Sequence, residues 1–101
     1  MNNRGEAVLY RSGAFNEFYI PERMMGGIQR YVDYGVQPGS FLTAVICNDF
    51  VGACQHADDE NIRNLPAYAA YFYNEVPHNA RGSAERMAEW TEAREAERQR
   101  E

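Results

Sequence analysis

An all-α fold is what this sequence predicts, and three features carry that prediction. From Pro21 to Gly35, Met24, Met25, Ile28, Tyr31 and Val32 recur at the three- and four-residue spacing of one helix face. The most apolar stretch, SFLTAVICNDFVGACQH at residues 40–56, follows a Pro38-Gly39 turn and is apolar almost all round its first two turns. Between Pro66 and Pro77 the helical spacing returns in Leu65, Tyr68, Ala69, Phe72 and Tyr73. The expected architecture is a small single-domain bundle of about four helices around a central apolar helix. An extended arm (1–19) precedes the helical core (20–91), and a charged, solvated helical tail (92–101) follows it.

Taken in order, the arm holds Ala7-Val8-Leu9-Tyr10 and Phe15 with Phe18-Tyr19, split by Ser12-Gly13, which suits a short strand or an extended segment laid on the domain. The first helix opens with Pro21 at its first position and Glu22 in its first turn, and it closes at Gly35. Gly26-Gly27 inside it costs about 1 kcal/mol per residue relative to Ala, which is offset where another backbone packs closely. Ser40 is the expected N-cap of the next helix.

Asn48-Asp49 interrupts that apolar segment. In a continuous helix the pair forms a narrow polar edge; in a broken one, Asn48 or Asp49 caps a second short helix running to Ala57. A buried pair bonded to backbone, or a ligand contact, are the remaining readings. On a continuous helix Cys47 and Cys54 lie on one face roughly 10 Å apart, too far to pair. They read as small hydrophobes in a reducing cytosol.

Asp58-Asp59-Glu60 reads as an acidic helix start stabilising exposed N–H groups. Tyr34, Tyr71 and Tyr73 are the aromatics expected partly outside the core. Ser83 caps the last helix, whose apolar contacts are Ala84, Met87, Ala88 and Trp90, with Glu95/Arg98 and Glu97/Arg100 as solvated pairs.

Composition excludes several kinds of chemistry. The chain of 101 residues carries a formal charge of −5, with four Arg against five acids in residues 1–50 and six against ten in residues 51–101. This balance does not suit neutralisation of nucleic-acid phosphates, so no direct nucleic-acid binding is expected; it suits a partner with a basic surface. All ten cations are Arg, which reflects a GC-rich coding genome or a use for bidentate contacts. No run has the length of a membrane span and the N-terminus lacks an apolar signal core, so a cytoplasmic protein is expected. Neither a phosphate loop nor an EF-hand ladder is present. A zinc set of Cys47, Cys54, His56 and Asp58 or Asp59 matches no strong spacing, and a Cys54/His56/Asp58 relay would be scattered around a helix. No catalytic residue, metal or cofactor is therefore expected, and the chain is read as non-enzymatic.

Residues 20–90 resemble a family of small, uncharacterised bacteriophage and prophage proteins. The resemblance lies in Ile20-Pro21-Glu22, Gly27-Ile28-Gln29-Arg30-Tyr31, Pro38-Gly39-Ser40-Phe41-Leu42-Thr43-Ala44-Val45, Asn48-Asp49, Ala57-Asp58, Leu65-Pro66-Ala67-Tyr68, and Tyr73-Asn74-Glu75 with Pro77. Where that family has Trp-Gly-Ser before its last helix, this chain has Arg81-Gly82-Ser83, so no role of an aromatic carries over there. The resemblance implies expression in the cytoplasm of a bacterial host. By analogy with small phage accessory proteins, it also implies binding of host machinery, for instance as an inhibitor of a defence system such as an anti-CRISPR.

Seven Tyr, five Phe and one Trp beside ten Arg supply the residue types that dominate protein contacts. The partner-binding residues expected on this basis are Tyr34, Arg63, Tyr71, Tyr73 and Asn74. Asn48 and Asp49 form the polar site if a small ligand is bound. The alternative function is sequestration of an anionic signalling nucleotide by Arg and Tyr between protomers of a homo-oligomer.

Overall fold

The computed structural model describes residues 8–10 and 17–100. Its strands are β1 (Val8–Tyr10) and β2 (Ile20–Pro21). Helices follow: α1 (Glu22–Tyr34), α2 (Ser40–Ile46), α3 (Phe50–His56), α4 (Asp59–Arg63), α5 (Leu65–Asn74) and α6 (Ala84–Arg100). A 3-10 turn (His78–Ala80) precedes α6. The all-α expectation holds, with a two-stranded antiparallel ribbon of β1 and β2 at its start. Residues 1–7 and 11–16 of the predicted arm lie outside the described residues.

The central rod needs correction. Residues 40–56 form two helices, because α2 ends in a left-handed turn at Asn48 (φ 62°). The Asp49 N–H donates to the Ala44 carbonyl at 2.8 Å and the Asn48 N–H to Val45 at 3.1 Å, the paired bonds of a Schellman stop. Asn is one of the few residues that adopts this conformation readily, since its short polar side chain can hydrogen-bond locally. Asp49 then caps α3, its Oδ1 accepting from the Gly52 N–H at 3.0 Å. One dipeptide therefore ends one helix and starts the next.

Burial divides the two halves. Phe41, Leu42, Ala44 and Ile46 of α2 are buried, while α3 buries only Gly52 and Ala53 and leaves Phe50 73% and Val51 62% exposed. The core is one cluster in which α2 meets Met25, Ile28 and Tyr31 of α1, Ala67, Tyr68 and Phe72 of α5, and Met87 of α6. Phe41 and Tyr68 stack edge to face, with centroids 5.0 Å apart. Cys47 and Cys54 are free and half-buried, and the break removes the single face predicted for them.

Several local predictions change. Gly39, not Ser40, is the N-cap of α2, with no side-chain cap bond. Pro21 is the residue before α1 rather than its first position. Side chains, not another backbone, crowd the two glycines of α1: a Cβ on Gly27 would stand 3.4 Å from the Leu42 Cδ1, and one on Gly26 would meet the Arg30 side chain. Gly35 does close α1 in the left-handed region (φ 74°). Asp58 caps α4, accepting from the Asn61 N–H at 2.8 Å, and Ser83 caps α6, accepting from Arg86 at 3.1 Å.

The last helix meets the core through Met87 and α1 through Trp90. Met87 is its buried residue, whereas Ala84 and Ala88, expected as contacts, are exposed. The Trp90 indole N–H donates to the Tyr31 and Val32 carbonyls at 3.2 and 3.1 Å, and the Arg94 guanidinium lies 4.6 Å from the Trp90 ring centroid. The surface pairs are Arg94 with Glu97 at 3.0 Å and Gln99 with Glu95, not the Glu95/Arg98 and Glu97/Arg100 pairs predicted. Among the described residues no helix is long and apolar enough to cross a membrane.

Candidate functional site

The α2–α3 joint and α5 face each other across an open cleft of about 500 Å³. Its walls are largely apolar: Val45 from α2, Phe50 and Ala53 from α3, and Leu65, Ala69 and Phe72 from α5. Polar groups enter at the edges, from Asn48 and Asp49 on one element and from Arg81 on the segment between the 3-10 turn and α6. This composition and size fall within the range of small-molecule sites, roughly 300–1,000 Å³.

Arg81 is brought there by the backbone beside it. The Gly82 N–H donates to the Ile46 carbonyl at 2.7 Å, and this bond sets the chain against the end of α2. Gly82 has φ 114°, a conformation open to glycine. The Arg81 guanidinium lies 5.3 Å from the Tyr73 ring centroid, and its Nη2 donates to the Tyr73 carbonyl at 3.2 Å. Its Nε is buried without a partner. Among the described residues no carboxylate stands within ion-pair distance of it.

Of the residues singled out from sequence, the fold brings Asn48, Asp49 and Tyr73 to this cleft. Tyr73 is 74% exposed. Tyr34, exposed at the end of α1, and Arg63, exposed at the end of α4, do not line it. Tyr71 is half-buried against the core and meets Phe72 edge to face at 5.7 Å, and Asn74 is exposed at the end of α5. Neither residue lines the cleft. Phe50, Val51 and Arg81 were missed. Phe50 falls within the apolar stretch that reads as a central helix, and Arg81 stands in the sequence only as a departure from Trp.

No family model, curated protein or solved structure matches the chain.

A second polar group gathers on the α4 side. The Tyr19 hydroxyl donates to Glu60 at 2.7 Å, and Arg23 Nη2 bridges Asp58 at 2.9 Å and Glu60 at 3.0 Å. The Tyr19 bond, with Arg23 second, holds the Glu60 carboxyl below its usual range; the Asn61 N–H and Arg23 do the same for Asp58. Tyr19 also anchors its backbone N–H on Asn64 Oδ1 at 2.9 Å. These bonds fasten the start of the described core to α4.

Cys47, Asp49 and His56 line a second pocket, with Ser40 and Thr43. Among the described residues no group of three or more His, Cys, Asp and Glu could hold a metal ion. Burial, and secondarily Asp49, pushes the Cys47 thiol up, and its Sγ lies 3.7 Å from Met87 Sδ. A thiol kept protonated is a poor nucleophile.

Proposed function

We propose that the protein is a non-enzymatic accessory protein that binds a host protein or complex, in the setting of a phage or prophage and the bacterial cytoplasm. The observation that carries this reading is the exposed pair Phe50 and Tyr73 on the cleft, with Val51 exposed next to Phe50 on α3. Large apolar side chains set together in the open, with aromatics among them, favour a protein contact. The charge of −5 favours a partner with a basic surface, and a nucleic-acid-handling defence complex inhibited in the manner of an anti-CRISPR fits that description.

The experiment is retention of partners from bacterial lysate on the immobilised full chain, beside Phe50→Ser and Tyr73→Ser variants. One stoichiometric partner, held by the parent chain and lost with either variant, supports the reading. Absence of any stoichiometric partner across host lysates overturns it. Phe50 is exposed, so Phe50→Ser should keep the parent's stability to within about 0.5 kcal/mol, whereas Tyr73→Ser also removes the ring beside Arg81 and should cost about 0.5–1 kcal/mol. The nucleotide alternative draws less support, because a cleft lined by one guanidinium and by the Asp49 carboxylate is a poor match for a multiply charged phosphate ligand.

A further inference from the structure

The cleft walls, the placement of Arg81 and its missing partner together point beyond protein contact. A guanidinium is always charged and presents a fork of donors matched to a carboxylate. Here it is held by the Tyr73 ring and carbonyl, and its Nε is buried without an acceptor. That nitrogen is enclosed, but the guanidinium as a whole lines the cleft and no carboxylate of the described residues stands within ion-pair distance of it, so its charge is open to a carboxylate brought in from the cleft. The other charge in the cleft, Asp49, is turned to the Gly52 N–H at the start of α3. It therefore does not neutralise Arg81, yet it discourages a ligand with several negative charges.

We propose that the cleft between the α2–α3 joint and α5 binds a small apolar molecule bearing a single carboxylate, with the carboxylate on Arg81 and the apolar body between Phe50, Ala69 and Phe72. A polar phosphate ester is disfavoured by the apolar walls. A small molecule, rather than a peptide strand, suits a space of about 500 Å³ that exposes no strand edge among its lining residues. This site shares Phe50 and Tyr73 with the partner-binding rim but turns on Arg81, which that reading does not use, so a preference for carboxylate that is lost in Arg81→Gln tests it separately.

The test is titration of the full-length, isotope-labelled chain with 4-phenylbutanoate and with 4-phenylbutanamide, followed by backbone amide shifts. Saturable shifts at Asn48, Gly52 and Gly82 are expected, with the carboxylate bound about tenfold more tightly than the amide. Arg81→Gln should abolish that preference, and Ala69→Trp, a substitution at an exposed wall position, should weaken both probes. Equal affinity of the two probes for the parent chain, or an undiminished carboxylate preference in Arg81→Gln, would overturn the proposal. So would concentration-dependent shifts at the same amides without probe, accompanied by a doubled mass, since a second copy would then be the occupant. Should Arg81→Gln fail to fold, the carboxylate-to-amide comparison in the parent chain and the Ala69→Trp arm still decide.

Discussion

The amide of Gly82 donates to the carbonyl of Ile46 at 2.7 Å, so the last residue of α2 is capped by a residue from the far end of the chain. The carbonyls at a helix end need such partners, and Thr43, Ala44 and Val45 find theirs within the following turn. Replacing Gly82 with Ala places a side chain at φ 114° and 3.1 Å from the Arg86 guanidinium. A loss of about 1–3 kcal/mol is expected in urea unfolding, with faster hydrogen exchange at the residue-82 amide.

Gly35→Ala should be more damaging. A Cβ there would stand 2.6 Å from the Arg94 Cβ and 3.1 Å from the Thr91 backbone, besides adopting φ 74°. Neither neighbour is the far end of a flexible side chain, so α1 and α6 must separate. A loss of about 2–4 kcal/mol is expected from strain and overpacking combined, together with a red shift of Trp90 fluorescence as its ring gains water.

Two buried phenols hold the core polar groups. Tyr31 donates to the Ala80 carbonyl and Tyr68 to Asn61 Oδ1, each at 2.6 Å. Burial pushes both phenols well above the usual tyrosine range. Tyr68→Phe leaves the Asn61 oxygen, on a residue 3% exposed, without this donor, so a loss of about 1–3 kcal/mol is expected. Tyr68→Phe with Asn61→Leu should recover part of it, and chemical denaturation of the four-member cycle measures the coupling. Because both phenols are raised in the folded state, their contribution is complete below the ordinary value of 10.0 and falls as pH rises beyond it.

Acid should weaken the protein through Asp58 and Glu60. Both carboxyls titrate lower in the folded chain than their ordinary values of 3.8 and 4.5, so their contribution is present above those values and fades as pH falls through the folded ones. The melting temperature is expected to drop below about pH 4.5, and Arg23→Gln should flatten that acid limb. Arg23 and Asp58 are half exposed, so added salt should reduce the difference between parent and variant.

Helical spacing was sufficient to locate α1, α5 and α6, and for α1 it also displayed the buried stripe of Met25, Ile28 and Tyr31. In α5 and α6 it misassigned part of the inner face, since Ala69, Tyr73, Ala84 and Ala88 are exposed. The caps Asp58 and Ser83 and the stop at Gly35 were equally visible, since each depends on neighbours within a few residues. Phe50 misled because an apolar residue beside Val51 and Ala53 looks the same on a buried helix as on an exposed one. The break at Asn48 had two local solutions of similar appearance, and the bond from Gly82 that completes the α2 end has no local signature. Arg81 was obscure for the same reason: its place beside Tyr73 and the joint depends on a long-range hydrogen bond.

Between Ile46 and Phe50 the chain has no slack. Each of Cys47, Asn48 and Asp49 has its backbone N–H committed to a carbonyl of α2. Added or deleted residues at this point would therefore misalign both helix ends at once. Changes in length will be better tolerated at residues 36–39, where Gly39 has open space around it. A reporter loop belongs there, and homologues that differ in length should differ there first.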